Sequence, residues 1–230
     1  MKKLPRFTIH VLVFLATLVI LFAAKYIFIV RTIKISGISE LRGLSKLSNS
    51  SIFLIRSKTL EKEIFKTNPQ VSEVTVQKKL PDTILIKVSK SRPVAELSIA
   101  DGIFLLSSDG RIISKQKSKT HVLNVPELNY YQQLFFNQYA TGETLTQRDI
   151  LASLVLADGL LDRHIEVESI DIMNENMIVL KAKDTEFLFT VKKDTTMQVV
   201  ELEYILEQLD IQGKEFKKID LRFSKPVIEY

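Results

Sequence analysis

Residues Val11 to Ala24, VLVFLATLVILFAA, carry no charge. Extended back to Phe7 and on to Val30, the run reaches about 24 residues, broken only by Lys25 and the weakly polar His10; about 20 residues at 1.5 Å each cross a bilayer core. A buried core helix would be unusually long and apolar all round. An interfacial helix would show a polar face, and this one shows none. A cleaved signal peptide wants a small residue where LFAAKY offers Leu21 or Phe22. We therefore expect a short tail over 1–8 and a retained single transmembrane helix over 9–30. Lys25 would snorkel to the headgroups beside Tyr26 and Phe28. Lys2, Lys3 and Arg6 precede the span while Lys25, Arg31 and Lys34 come after it, so charge leaves its orientation open.

The rest of the chain must be ordinary globular protein. The chain has 230 residues, 46% hydrophobic and 26% charged, which suits one large or two small folded units and excludes a disordered chain. Cys is absent, which excludes disulfides, Cys-ligated zinc, iron–sulfur clusters and thiol nucleophiles. The net charge of +5 comes from basic and acidic residues interleaved along the chain, not from the basic stripe of a nucleic-acid binder.

The stretch from Ile33 to Pro93 reads as strand, helix, helix, strand, strand. Ile33–Gly37 is a short strand ending in glycine. Ile38–Asn49, ISELRGLSKLSN, is a short helix candidate. SKTLEKEIFKTN is a second, with Ser57 as N-cap and Leu60, Ile64 and Thr67 along one face. Asn68-Pro69 stops it. Val74 and Val76 alternate with Thr75 and Gln77, and Ile84, Ile86 and Val88 with Leu85 and Lys87, on either side of Leu80-Pro81-Asp82-Thr83. That pattern is a hairpin with one apolar and one wet face.

From Val94 to Tyr230 the chain reads as a larger α+β unit with a mainly antiparallel sheet. VAELSI, GIFLLS and GRIIS are strands, with Ser108-Asp109-Gly110 turning the last two. Lys115 to Gly142 is irregular apart from VPEL, Val125–Leu128. Thr146-Gln147-Arg148-Asp149 opens a helix in the manner of a capping box, with Ile150, Leu154, Ala157 and Leu161 on one face. IEVESIDIM, NMIVLKAK and TEFLFTVKK are strands; Phe187, Phe189 and Val191 point to one side. A second helix covers Thr196 to Asp210, with Met197, Val200, Tyr204 and Leu209 among its apolar positions and Gly213 past its end. FKKIDLRF and PVIEY close the chain as a strand pair.

These motifs resemble the FtsQ/DivIB family of bacterial cell-division proteins. The resemblance is carried by Ile33–Gly37, Pro69-x-Val71, Val74–Lys79, Leu80-Pro81-Asp82-Thr83-Ile84 to Val88 and Arg92-Pro93-Val94-Ala95, in order after an N-terminal span. It continues in the Ser108-Asp109-Gly110 hairpin and in Ile219-Asp220-Leu221-Arg222-Phe223. Ser91 stands where the family often has Glu. The resemblance implies a POTRA domain of β-α-α-β-β order over 33–93 and a C-terminal β domain over 94–230. It also implies that the large part lies outside the cytoplasm, at the cell membrane, with the tail over 1–8 cytoplasmic.

No catalytic constellation emerges. His10, His121 and His164 are far apart, with no HExxH, GxSxG, Gly-rich phosphate loop or SxxK set. His164 reads as an edge or exposed histidine at the start of a strand. Asp109, Asp171, Asp184 and Asp220 are isolated carboxylates at turns or strand ends. Gln77, Lys78 and Lys79 read as the solvated face of the hairpin, or as a contact for acidic lipid or a partner. We expect no enzyme, no cofactor, no metal, no nucleic acid and no small-molecule substrate.

Sheet edges remain. An unpaired edge accepts a strand from another chain. Ser224–Tyr230 can sit at the edge of the second sheet, where it either closes the sheet or docks a partner. The resemblance implies docking of FtsB-like and FtsL-like bitopic proteins there, and carries Phe223, Val227, Ile228 and Tyr230 as partner-binding candidates. Pro226 counts slightly against unbroken pairing. The expected function is a bitopic scaffold of the divisome that recruits division proteins through strand edges. The alternatives are a membrane-anchored extracytoplasmic cell-wall enzyme and a POTRA-containing chaperone or secretion component.

Overall fold

The computed structural model describes residues 6–117 and 125–230; of helix residues 6–9, 12–13, 20–21 and 23–25 only the backbone is described. His121, Lys2, Lys3 and the side chain of Lys25 therefore lie outside the described residues. The chain forms two units, 1–90 and 91–230.

The first unit opens with helix α1, Arg6–Ile27. Counted over the described residues, no helix is long and apolar enough to cross a membrane; eleven of the 22 side chains of α1 lie outside the described ones. The helix stops at Ile27, short of the expected Val30, because Val30 is buried in the core of the adjoining sheet.

A three-stranded sheet comes next, with β1 (Thr32–Ser36), helix α2 (Ser57–Thr67), β2 (Val71–Lys79) and β3 (Thr83–Lys90) arranged as β1-β3-β2. β3 pairs parallel with β1 and antiparallel with β2; Val76 faces Ile86 and Val74 faces Val88, the register the alternation requires. Leu60 and Ile64 of α2 cover Val76, Ile84, Ile86 and Val88 in one core. Thr67 turns outward and donates its hydroxyl to Glu63 O.

The first expected helix, Ile38–Asn49, is absent: these residues form turns, so the order is β-α-β-β. Gly43 (φ +92°) and Asn49 (φ 65°) take left-handed conformations that a helix does not tolerate. The buried Asn68 amide supplies the bonds a helix would have made internally. Its Oδ1 accepts from Arg42 N–H at 2.9 Å, and its Nδ2 donates to Ile64 O at 2.8 Å and Arg42 O at 3.2 Å. Ser57 is the first helical residue, not the cap. Arg56 holds the cap position, without a side-chain bond.

The second unit is a nine-stranded sheet among the described residues. Its strands are β4 (Pro93–Ile99), β5 (Gly102–Ser107), β6 (Ile112–Gln116), β7 (Glu127–Tyr130), β8 (Ser169–Asn174), β9 (Met177–Ala182), β10 (Thr185–Phe189), β11 (Lys218–Asp220) and β12 (Val227–Glu229). The order is β12-β11-β10-β9-β8-β7-β4-β5-β6. Most pairings are antiparallel, and β7 lies parallel to both neighbours. Helices α3 (Arg148–Asp162) and α4 (Thr195–Gln212) each bury one apolar face with Leu97, Phe104, Ile170, Leu180, Phe187 and Ile219.

Three local readings need correction. No capping box forms, since the α3 cap is Gln147 and makes no side-chain bond. His164 lies in a turn after α3 (φ 62°), not at a strand start. In α4 the buried residues are Gln198, Leu202, Leu206 and Leu209, whereas Met197, Val200 and Tyr204 are exposed. The N-cap of α4 behaves as expected of such a residue: Asp194 accepts from Met197 N–H at 2.9 Å, and Gly213 ends the helix in the left-handed region.

Gly37 fixes the end of β1. Its φ is +98°, and a Cβ there would lie 1.8 Å from Val88 O, a backbone atom that cannot move aside. Strained backbone plus an overlap with β3 should destabilise Gly37→Ala by more than about 2 kcal/mol. Urea unfolding of the full chain in detergent measures this; an unchanged midpoint would contradict the account.

Candidate interaction surfaces

The site begins with β11. Ile219 and Leu221 point into the core, fully buried, so Asp220 between them points to the opposite face of the sheet. There Arg222 grips it in a fork, Nη2 to Oδ2 at 2.6 Å and Nε to Oδ1 at 2.9 Å, while the Arg222 backbone N–H reaches Oδ1 at 3.1 Å. Burial opposes ionisation of Asp220, but the Arg222 bonds outweigh it and hold the carboxyl below its ordinary range. This clamp sets the direction in which the chain leaves β11.

A second anchor is Lys193, whose ammonium donates to Leu221 O at 2.7 Å and to Phe223 O. The loop Arg222–Pro226 is thus fixed at its start, and β12 returns antiparallel to β11 with Ile228 opposite Ile219. β12 is the last strand in the sheet; among the described residues only β11 pairs with it. Leu221 N–H bonds to Leu188 O on β10, so odd-numbered residues of β11 face β10 and even-numbered ones face β12. By the same alternation Ile228 turns its N–H and C=O to the open side.

The four candidate residues gather around this hairpin. Ile228 is half-buried and packs on the core, while Phe223, Val227 and Tyr230 are exposed. The Arg222 guanidinium lies 5.5 Å from the Phe223 ring, and Lys214 Nζ lies 5.6 Å from the Tyr230 ring.

The remaining carboxylates serve local structure. Asp109 Oδ1 accepts from the Ser107 hydroxyl at 2.5 Å in the β5–β6 turn. Asp171 takes bonds from Asn129 Nδ2 and Lys181 Nζ, each 2.9 Å away, on the wet face of the sheet. Burial works against this carboxylate too, yet Asn129 and Lys181 bring it below the ordinary range. Asp184 is exposed in the β9–β10 turn. Neither these three nor Asp220 line the cleft of about 390 Å³ formed by Val94, Val125, Pro126, Ala157, Leu161, Glu166, Val167 and Glu168. His164 and His10 are exposed. Among the described residues no three His, Asp or Glu side chains converge as a metal site.

Two features are not apparent from the sequence. Arg92 reaches across to α3 and pairs with Asp158 and, at 2.8 Å, Asp162; it anchors the start of β4 to the helix end. Along α4, Met197, Val200, Tyr204 and Ile211 form an exposed apolar stripe bordered by Glu201, Glu203 and Glu207. A second apolar series at 199, 202, 206 and 209 was the available signal that this face points outward.

Residues 28–90 match the model of the family described as POTRA domain, FtsQ-type. The chain is 30% identical over 98 residues to cell division protein DivIB of Geobacillus kaustophilus, covering 43% of this chain and 34% of that one. It is 34% identical over 86 residues to cell division protein FtsQ of Rickettsia bellii, covering 37% and 32%. With FtsQ of Rickettsia typhi it shares 26% over 198 residues, 82% of this chain and 65% of that one. The matched stretches thus span about a third of the first two relatives' length. A solved structure of the major extracytoplasmic domain of DivIB from Geobacillus stearothermophilus is similar with a TM-score of 0.34 at 16% identity, over 55% of this chain and 99% of that one.

Because the folded-state pKa of Asp220 is depressed, its contribution to stability is complete above the unfolded value near 3.9 and is lost as pH falls through the folded value. Asp220→Asn should therefore cost about 1–3 kcal/mol at pH 7, toward the lower end because Arg222 is partly solvated. The difference from the parent should shrink at an acid pH below the unfolded value near 3.9. Urea unfolding at the two pH values reads both; a pH-independent cost would assign the effect to something other than the ion pair.

Proposed function

We infer that this chain, a member of the FtsQ/DivIB family of bacterial cell-division proteins, works in the divisome as a membrane-anchored scaffold without a catalytic step of its own. Helix α1 spans the membrane on this reading: its 22 residues extend about 33 Å, and the segment from Val11 to Ala24 holds no charge. The residues before it form the cytoplasmic tail, and the POTRA and β domains lie outside. FtsB-like and FtsL-like bitopic proteins are the partners.

One observation carries the docking surface: among the described residues β12 ends the large sheet with its outer side open, held in place by the Asp220–Arg222 clamp and Lys193. An incoming strand would complete the ladder through Ile228 N–H and C=O. Phe223, Val227 and Tyr230 supply the side-chain contacts that distinguish one strand from another. The scaffold role draws on two sources of order, confinement to the membrane plane and a preformed edge.

Ile228→Pro is the test, because proline removes the outward N–H while sparing the ladder to β11. The full chain should keep its circular dichroism spectrum and lose capture of an FtsB-like segment by roughly tenfold or more, equal to about 1.4 kcal/mol. Ile228→Val should bind as the parent does. Undiminished capture by the proline variant would remove this edge from the partner surface.

A further inference from the structure

Helix α1 does not leave through a free hinge. Val30 N–H donates to Ser50 O at 2.9 Å, Asn49 N–H to Val30 O at 3.2 Å, and Ile52 N–H to Phe28 O at 2.9 Å. On the other side, Arg31 and Thr32 N–H reach Asp82 O at 3.0 and 3.3 Å. Two separate loops, around Ser50–Leu54 and Leu80–Thr83, are thereby stitched to the five residues after Ile27.

Each loop carries apolar side chains into the open. Leu54 is 82% exposed, Phe53 60% and Leu80 57%. The Phe53 ring leans on Phe28, the first residue after α1, with centroids 4.8 Å apart. A lone exposed leucine is ordinary. Two apolar tips tied by backbone bonds to the end of one apolar helix are not independent events. Exposed cations adjoin them along the chain: Arg56 lies two residues past Leu54, Lys78 and Lys79 precede Leu80, and Arg31 is tied by its N–H to Asp82. Asp82 sits in the second loop, and its carboxylate accepts the Thr83 hydroxyl at 3.0 Å.

Lys78 and Lys79 are thus more than the wet side of a hairpin, since they precede the tip that bears Leu80. We propose that Phe53, Leu54 and Leu80 dip into the interface of an anionic bilayer, with these cations against its headgroups, so that the POTRA domain is docked on the membrane surface. This proposal rests on α1 spanning the membrane. The pairing of apolar tips with cations matches the chemistry of the interface, where the one replaces water by acyl chain and the other meets negative charge. A soluble protein partner would have no reason to require both loops at the helix exit.

The absence of native cysteine makes single-cysteine reporters clean. The full chain is reconstituted into phosphatidylcholine–phosphatidylglycerol vesicles with bimane at Leu54→Cys, Leu80→Cys, Leu18→Cys or Glu73→Cys. Glu73 is exposed at the far end of β2 from Leu80. Lipids bearing a nitroxide near the headgroup should quench Leu54→Cys and Leu80→Cys several-fold more than Glu73→Cys. Replacing phosphatidylglycerol with phosphatidylcholine should reduce that quenching. Quenching at Leu18→Cys by acyl-chain nitroxides, with Leu54→Cys and Leu80→Cys no better than Glu73→Cys, overturns the docking and leaves the span intact. No quenching at Leu18→Cys overturns the span and the docking with it.

Discussion

A sheet that does not close must end in two edge strands, and the backbone groups on those edges need water or a partner. In the larger unit one such edge is β12, three residues long and paired on one side by β11. Everything that positions it lies upstream. Ile219 and Leu221 seat β11 in the core, Asp220 grips Arg222 on the other face, and Lys193 ties down Leu221 and Phe223 through their carbonyls. The edge is therefore placed by contacts upstream of it rather than by its own few residues. That is why a strand this short can hold one position.

The same economy appears in the smaller unit. Asn68 is buried and uses its amide to hold Arg42 and Ile64, replacing an entire helix by turns. Glu61 on α2 accepts the Val76 N–H at 2.9 Å and so blunts part of the β2 edge. Backbone bonds from Val30, Arg31 and Thr32 fix the two loops beside the end of α1. One side chain or one strand of backbone thus does what a longer element does in larger folds.

How legible this was in the sequence depended on the range of the interaction. The hairpin of β2 and β3 was readable because alternation is local and Val76 opposite Ile86 follows from the turn length. The Ile38–Asn49 segment was not, because its conformation is decided by Asn68, which lies 26 residues from Arg42. In α4 the pattern was ambiguous for a physical reason: Leu202, Leu206 and Leu209 form one apolar face, Met197, Val200 and Tyr204 another, and only packing against the sheet chooses between them. For the candidate site, IDLRF and the terminal strand pair could be read from residues. The openness of β12 could not, because it depends on the order of all the strands, including β7 inserted parallel between β4 and β8.

The shortness of β12 also bears on how a scaffold of the proposed kind would bind. A three-residue edge gives an incoming strand only a few main-chain hydrogen bonds, each contributing about 0.5–1.5 kcal/mol net. Association in solution costs several kcal/mol or more in lost freedom, so backbone pairing at β12 is too weak to hold a partner alone. The exposed Phe223, Val227 and Tyr230 would add apolar contact at the same place, and confinement of both proteins to one membrane would lower the entropic cost further. An edge that binds weakly in bulk and usefully in two dimensions is also safe from pairing with copies of itself, which a long flat edge is not. Pro226 at the entry to β12 reinforces that limit by denying the strand an N-terminal extension in its ladder. On this reading the modest edge and the apolar N-terminal helix are two halves of one design, each ineffective without the other.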